Sequence, residues 1–157
     1  MPLDFQATET AFPAIAIDDE TRAMLARDCV VAVGVSGGKD SVACALAVEA
    51  YLFEIGHTGP RVLVHADLGV VEWRDSMRTC LELAERIGWE LIVVRRAAGD
   101  MMDRWESRWA GNLLRYSLME TISVILPWST PGMRFCTSEL KVAPIARELC
   151  LACCRFC

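Results

Sequence analysis

The spacing of apolar and polar residues changes period along the chain, and each period predicts an element. Cys29 to Val35 is a continuous apolar run rich in β-branched valine and bounded by polar residues, which predicts a strand buried on both faces of a parallel sheet. Asp40 to Ile55 follows as a helix carrying Val42, Ala43, Leu46, Ala47, Ala50, Tyr51 and Phe53 on nearly all sides, so deep packing against the sheet is expected. Gly56-His57-Thr58-Gly59-Pro60 ends it, with His57 expected in a solvent-facing loop. Arg61 to Asp67 reads as the second strand. Glu72 to Ile87 reads as an amphipathic helix with Trp73, Met77, Leu81 and Ala84 on one face and Arg74, Asp75, Arg78, Glu82 and Glu85 on the other. Gly88 closes that helix, and Trp89 to Val94 makes a third strand. Strands alternating with helices predict parallel pairing through right-handed crossovers.

The flanks are less regular. Met1 to Ile17 has two prolines and no clear period, and Asp18-Asp19-Glu20 then start a short helix reaching Asp28. Further on, Met102, Trp105 and Trp109 form the packing stripe of a helix, and Tyr116 to Leu126 is expected to be another. Pro127 to Gly132 is a loop by composition, and Thr137 or Ser138 can cap a new helix that Pro144 kinks or restarts.

One junction carries chemistry. Between the first strand and its helix stands Ser36-Gly37-Gly38-Lys39-Asp40-Ser41. Two glycines without Cβ let the backbone turn sharply and bring its amides close to an oxyanion, at the positive end of a helix where phosphate is favoured. Ser36 and Ser41 can add hydroxyl donors, Lys39 a positive charge, and Asp40 a carboxylate able to hold phosphate-bound Mg²⁺. The commoner nucleotide loop is excluded, because it places a hydroxyl directly after the lysine and here Asp40 follows Lys39. His65 and Asp67 end the second strand, where open α/β sheets bind ligands. The only two lysines, Lys39 and Lys141, fall in the two most distinctive stretches, the second being Arg134-Phe135-Cys136-Thr137-Ser138-Glu139-Leu140-Lys141-Val142-Ala143-Pro144.

The S-G-G-K-D-S run resembles the signature of the PP-loop adenine-nucleotide superfamily, which includes N-type ATP pyrophosphatases and phosphoadenosine-phosphosulfate (PAPS) reductases. His65-Ala66-Asp67-Leu68-Gly69 looks similar to the strand end that borders the adenosine pocket there, implicating His65, Asp67 and Gly69. The R-x-C-T-x-x-L-K-x-x-P pattern is similar to the segment that PAPS-reductase-like proteins lay across the phosphate loop, implicating Arg134, Cys136, Thr137 and Lys141. The resemblance spans Val30 to Ile145 and implies a doubly wound, Rossmann-like parallel sheet with helices on both faces, of the adenine nucleotide alpha hydrolase-like kind. It implies binding of ATP with Mg²⁺ held by Asp40, cleavage between the α and β phosphates, and adenylation of an acceptor, with Lys39, Asp40, Lys141 and Arg134 as catalytic residues. The alternatives are thiol-dependent reduction of PAPS or adenylyl sulfate, and a non-catalytic nucleotide-binding subunit or remnant. Family members continue with a further strand and a phosphate-facing segment, so the chain reads as shortened at its C-terminus or completed by a second copy or a partner subunit.

Composition narrows this picture. With 157 residues, 54% hydrophobic and 24% charged, a single globular domain is expected. The net charge of -5 argues against a general nucleic-acid surface, and no segment reads as a signal peptide or membrane span, so a cytoplasmic protein is expected. Eight cysteines then read as reduced thiols. Cys150, Cys153, Cys154 and Cys157 share one helical face, read as a stripe of small apolar side chains or a ragged chain end. An iron–sulfur or zinc site is not expected there, because neighbouring turns of one straight helix do not wrap a single ion. Arg95, Arg96, Arg104, Arg108 and Arg115 either sit outside the tryptophan stripe or clamp an anion, and the charge cluster alone names no ligand.

Overall fold

The computed structural model describes residues 15–156, with side chains as far as Leu151. Most of the irregular lead-in, together with Cys157 and the side chains of Cys153 and Cys154, therefore lies outside the described residues. Helix α1 (Asp19–Leu25) opens on Asp18, whose carboxylate accepts from the Thr21 amide at 2.7 Å and satisfies one of the N–H groups a helix start leaves open.

Strands β1 (Val31–Gly34), β2 (Arg61–Asp67) and β3 (Glu90–Arg95) form a parallel sheet in the order β1-β2-β3, with Val31 opposite Arg61 and Val62 opposite Glu90. Parallel neighbours need a crossover, supplied here by α2 (Lys39–Glu54) and α3 (Ser76–Ile87). Both crossovers step across the sheet in the same direction, so their common handedness puts both helices on one face. That face packs Val33, Val35 and Leu63 against Ala45 and Leu52 of α2 and Cys80, Leu83 and Ala84 of α3. The other face, Val62, Val64, Ala66 and Val94, is covered by Ile145 and Leu149 of α6 (Ala143–Phe156). The protein is thus α/β, a three-stranded parallel sheet with helices on both faces. The strands follow chain order, so no reversal of strand order occurs among the described residues. No helix among the described residues is long and apolar enough to cross a membrane.

Helix α4 (Met101–Ser117) starts in a reciprocal cap: the Asp100 carboxylate accepts from the Met102 and Asp103 amides at 2.7 and 3.1 Å, and Asp103 accepts from the Asp100 amide at 2.8 Å. It ends at Ser117, and the helix expected over Tyr116 to Leu126 does not form. Met119 turns left-handed at φ 57°, and the Glu120 amide closes on the Arg115 carbonyl at 2.9 Å, a helix-ending turn. Beyond it, β-branched Thr121, Ile122, Val124 and Ile125 disfavour a restart, and the Asn112 side chain donates to the Ile125 carbonyl at 2.7 Å.

Two further expectations are corrected. Helix α3 begins at Ser76, not Glu72, because Gly69–Val71 takes a 3₁₀ turn first. Its buried face is therefore Ser76, Cys80, Leu83 and Ala84, while Trp73 precedes the helix and is 87% exposed and Leu81 faces solvent. Helix α2 buries Ala45 and Leu52 fully but leaves Phe53 exposed.

Near the C-terminus, α5 (Phe135–Thr137) runs into a π-helical stretch, Ser138–Val142, and then into α6. Pro144 is the second residue of α6, directly after the π-helical stretch. A third apolar cluster, Met101, Phe135 and Leu140 with Leu68, Val71, Trp105 and Cys136, ties this segment to α4 and to the chain leaving β2. That packing carries Lys141 back to the end of β1.

Candidate functional site

The turn from β1 into α2 is braced by its own side chains. The Ser36 amide donates to Ser41 Oγ at 3.1 Å, and the Ser41 hydroxyl donates to the Gly38 carbonyl at 2.9 Å. Because that proton is committed, Ser36 Oγ, 3.3 Å away, is the donor to Ser41 Oγ. Gly37 sits at φ +72°, and a Cβ there would fall 2.6 Å from the Ser76 carbonyl oxygen. Only glycine lets the turn lie against the start of α3. Gly38 caps α2 without any side-chain bond, so the amides of the first turn remain open to a ligand. Lys39 and Asp40 occupy that first turn and are exposed.

Two cavities meet at Ser36. One, of about 490 Å³, is lined by Ser36, Gly37 and Gly38 on one side and by Leu68, Glu72, Trp73, Asp75 and Ser76 among others opposite. The second, of about 190 Å³, holds Lys141 with Gly34, Val35, Ser36 and Glu72. Ser36 and Glu72 belong to both walls. The structure thus brings Ser36, Gly37, Gly38 and Lys141 together. Lys39 and Asp40 stand outside the walls of both cavities, on the helix end that adjoins them.

His65, Asp67 and Gly69 are placed differently from the expectation of an adenosine border. His65 is only 1% exposed, because it lies on the sheet face covered by α2 and α3. Its Nδ1 is 3.0 Å from the Val35 carbonyl oxygen, its Nε2 is 3.1 Å from the Glu72 carboxylate, and Cys80 Sγ is 3.7 Å from Nδ1. The imidazole holds Glu72 in both cavity walls without lining either. Asp67 accepts from the Gly69 amide at 2.7 Å and pairs with Arg95, whose Nε is 3.1 Å away. Partial burial works against the Asp67 carboxylate, but the Arg95 and Gly69 bonds outweigh it and hold the carboxyl below its usual range. Gly69, at φ +78°, leaves no room for a Cβ beside the Asp100 carboxylate. These residues shape the chain from β2 into the cleft.

Of the second motif, Lys141 reaches a cavity, and Arg134 and Thr137 are exposed. Arg134 Nε donates to the Pro131 carbonyl at 3.3 Å, and Thr137 Oγ1 lies 3.9 Å from Cys136 Sγ. Hydrogen bonding to Ser129 is the largest influence on the Cys136 thiol and, with Thr137 and the charge of Lys141, lowers its pKa against the effect of burial. Most of the arginines answer to carboxylates: Arg104 grips Glu139 at 2.7 and 3.0 Å, Arg96 approaches it at 3.8 Å, and Arg115 meets Glu120 at 3.4 Å. Arg104 and Arg108 also stack over Phe135 at 4.8 and 5.4 Å from its centre. Cleft residues Glu72, Trp73, Asp75 and Thr79 all fall in the stretch expected as the amphipathic helix, Trp73 and Asp75 on its two faces. The one signal was their position directly after the second strand.

No group of three or more potential ligand side chains gathers for a metal among the described residues. Asp40 offers a single exposed carboxylate on the first turn of α2. No family model, curated protein or solved structure matches the chain.

Proposed function

We propose that the protein binds ATP with Mg²⁺ at the Ser36–Ser41 turn and cleaves it between the α and β phosphates, adenylating an acceptor and releasing pyrophosphate. On this reading the sheet is the core of a Rossmann-like, adenine nucleotide alpha hydrolase-like fold. The observation that carries it is the uncapped start of α2, opening beside a cleft of about 490 Å³ with Lys141 drawn to the same serine. The first-turn amides hold the pyrophosphate, joined by the Ser36 hydroxyl once it turns from Ser41 Oγ, Lys39 and Lys141 offset its charge, and Asp40 supplies the carboxylate for Mg²⁺. Arg134, exposed at the start of the second motif, is assigned to the outgoing charge or the acceptor. The metal, when bound, withdraws charge from the phosphate oxygens. The protein's share is positioning and electrostatics.

Pyrophosphate release from Mg²⁺·ATP tests the proposal. Release that falls about a hundredfold or more in Lys39→Ala supports it; unchanged release in that variant contradicts it.

The lowered thiol of Cys136 beside Lys141 favours a second reading, reduction of a sulfonucleotide such as PAPS. There the thiolate attacks sulfur, the nucleoside phosphate leaves, and an external dithiol releases sulfite from the S-sulfocysteine. Sulfite release lost in Cys136→Ser would favour this reading over adenylation.

A further inference from the structure

At the opposite pole of the sheet, beside the amino ends of β1 and β2, lies a cavity of about 360 Å³ lined by Arg22, Leu25, Ala26, Asp28, Tyr51, Ile55, Gly56 and His57. His57, expected in solvent, is only 4% exposed, and neither ring nitrogen has a partner. The Tyr51 hydroxyl is likewise buried and unpartnered. Buried polar groups are ordinarily hydrogen-bonded, so two orphaned side chains in one cavity indicate that something polar belongs there. The Arg22 guanidinium has no carboxylate partner among the described residues. Asp28 faces the same space from a left-handed turn at φ 52°, with one carboxylate oxygen accepting from the Thr58 amide at 2.8 Å. The lining therefore offers a cation, an anion, a phenol and an imidazole, with Leu25, Ala26 and Ile55 as its apolar part.

We propose that this cavity binds a small zwitterion of the α-amino-acid class, its carboxylate on Arg22 and Tyr51, its ammonium on Asp28, and a short apolar side chain against Leu25 and Ile55. His57 completes the polar wall, donating to the carboxylate from one nitrogen. The site is separate from the glycine turn and does not depend on what that turn binds.

The test is thermal melting of the purified chain in L-leucine, leucinamide and 4-methylpentanoate, three probes of one shape with both charges, the ammonium alone and the carboxylate alone. Leucine is expected to raise Tm and the other two to raise it much less. Arg22→Gln and Tyr51→Phe, which remove groups without protein partners and so leave folding intact, should each require about tenfold more leucine for the same shift. No shift with leucine means that water fills the cavity and overturns the proposal. Equal shifts from 4-methylpentanoate, or an unchanged leucine response in Arg22→Gln, overturn it as well.

Discussion

The Nδ1 of His65 stands 3.0 Å from the carbonyl oxygen of Val35, the residue immediately before the glycine turn. A carbonyl only accepts, so Nδ1 donates there, while Nε2 lies 3.1 Å from the Glu72 carboxylate. One buried ring thus fixes the end of β1 against the wall of the cleft. His65→Ala should lower stability by about 2 kcal/mol or more, because it empties packed space and orphans the Val35 carbonyl. It should also weaken ATP binding without removing any group that lines the cavities. Chemical denaturation and a binding titration on the same variant check both effects; a fully stable variant would contradict them.

The two glycines of the turn should separate cleanly. Gly37→Ala meets the Ser76 backbone and a left-handed φ, so it should destabilise by about 1 to 3 kcal/mol and abolish nucleotide binding. Gly38→Ala meets only Ser36 Oγ at 3.6 Å, an ordinary contact, at an extended backbone. Its melting temperature should stay near that of the parent. Melting curves of the two variants, measured side by side, decide the point.

Cys136 and Cys80 should react at very different rates. Ser129, Thr137 and Lys141 lower the Cys136 thiol, while burial, aided by Glu72, raises Cys80. Alkylation by iodoacetamide near neutral pH, followed by peptide mass spectrometry, should modify Cys136 well before Cys80. Lys141→Ala should slow Cys136 and leave Cys80 unchanged.

Acid should loosen the second motif. The bond from Arg104 is the largest cause holding the Glu139 carboxyl below its usual value, with burial opposing it. A carboxyl whose pKa is depressed on folding adds stability above its unfolded value, about 4.3, and that stability is lost as pH falls through the folded value. Glu139→Gln should therefore show a shallower loss of Tm than the parent below about pH 4.3. Parallel slopes for the two proteins would count against the Arg104–Glu139 pair.

The sheet and its crossovers were legible because valine runs and glycine stops report local physics: β1, α2, β2, α3 and β3 appear in the expected order. The stretch from 118 to 126 was not, since apolar spacing there mimics a helix while its β-branched residues and the left-handed Met119 prevent one. The tight turn at Ser36, Gly37 and Gly38 was readable from its two glycines between strand and helix. His65 was not, because its position at a strand end looks the same whether the ring points to a ligand or into the core. His57 was misplaced for a related reason: a loop between glycines reads as solvent-exposed, and only the packing of α1 over it makes a cavity. Glu72 and Trp73 became visible only when Gly69–Val71 displaced the start of α3.

The measurement that bears most directly on the central claim is titration of Mg²⁺·ATP into the purified chain, read by calorimetry and by melting temperature. The account predicts one saturable site and, at about a hundred times its dissociation constant, a stabilisation of about 2.7 kcal/mol that Gly37→Ala abolishes and Lys39→Ala weakens. A cooperatively melting protein that gives no heat and no shift with Mg²⁺·ATP, or a site equally strong in both variants, would contradict it.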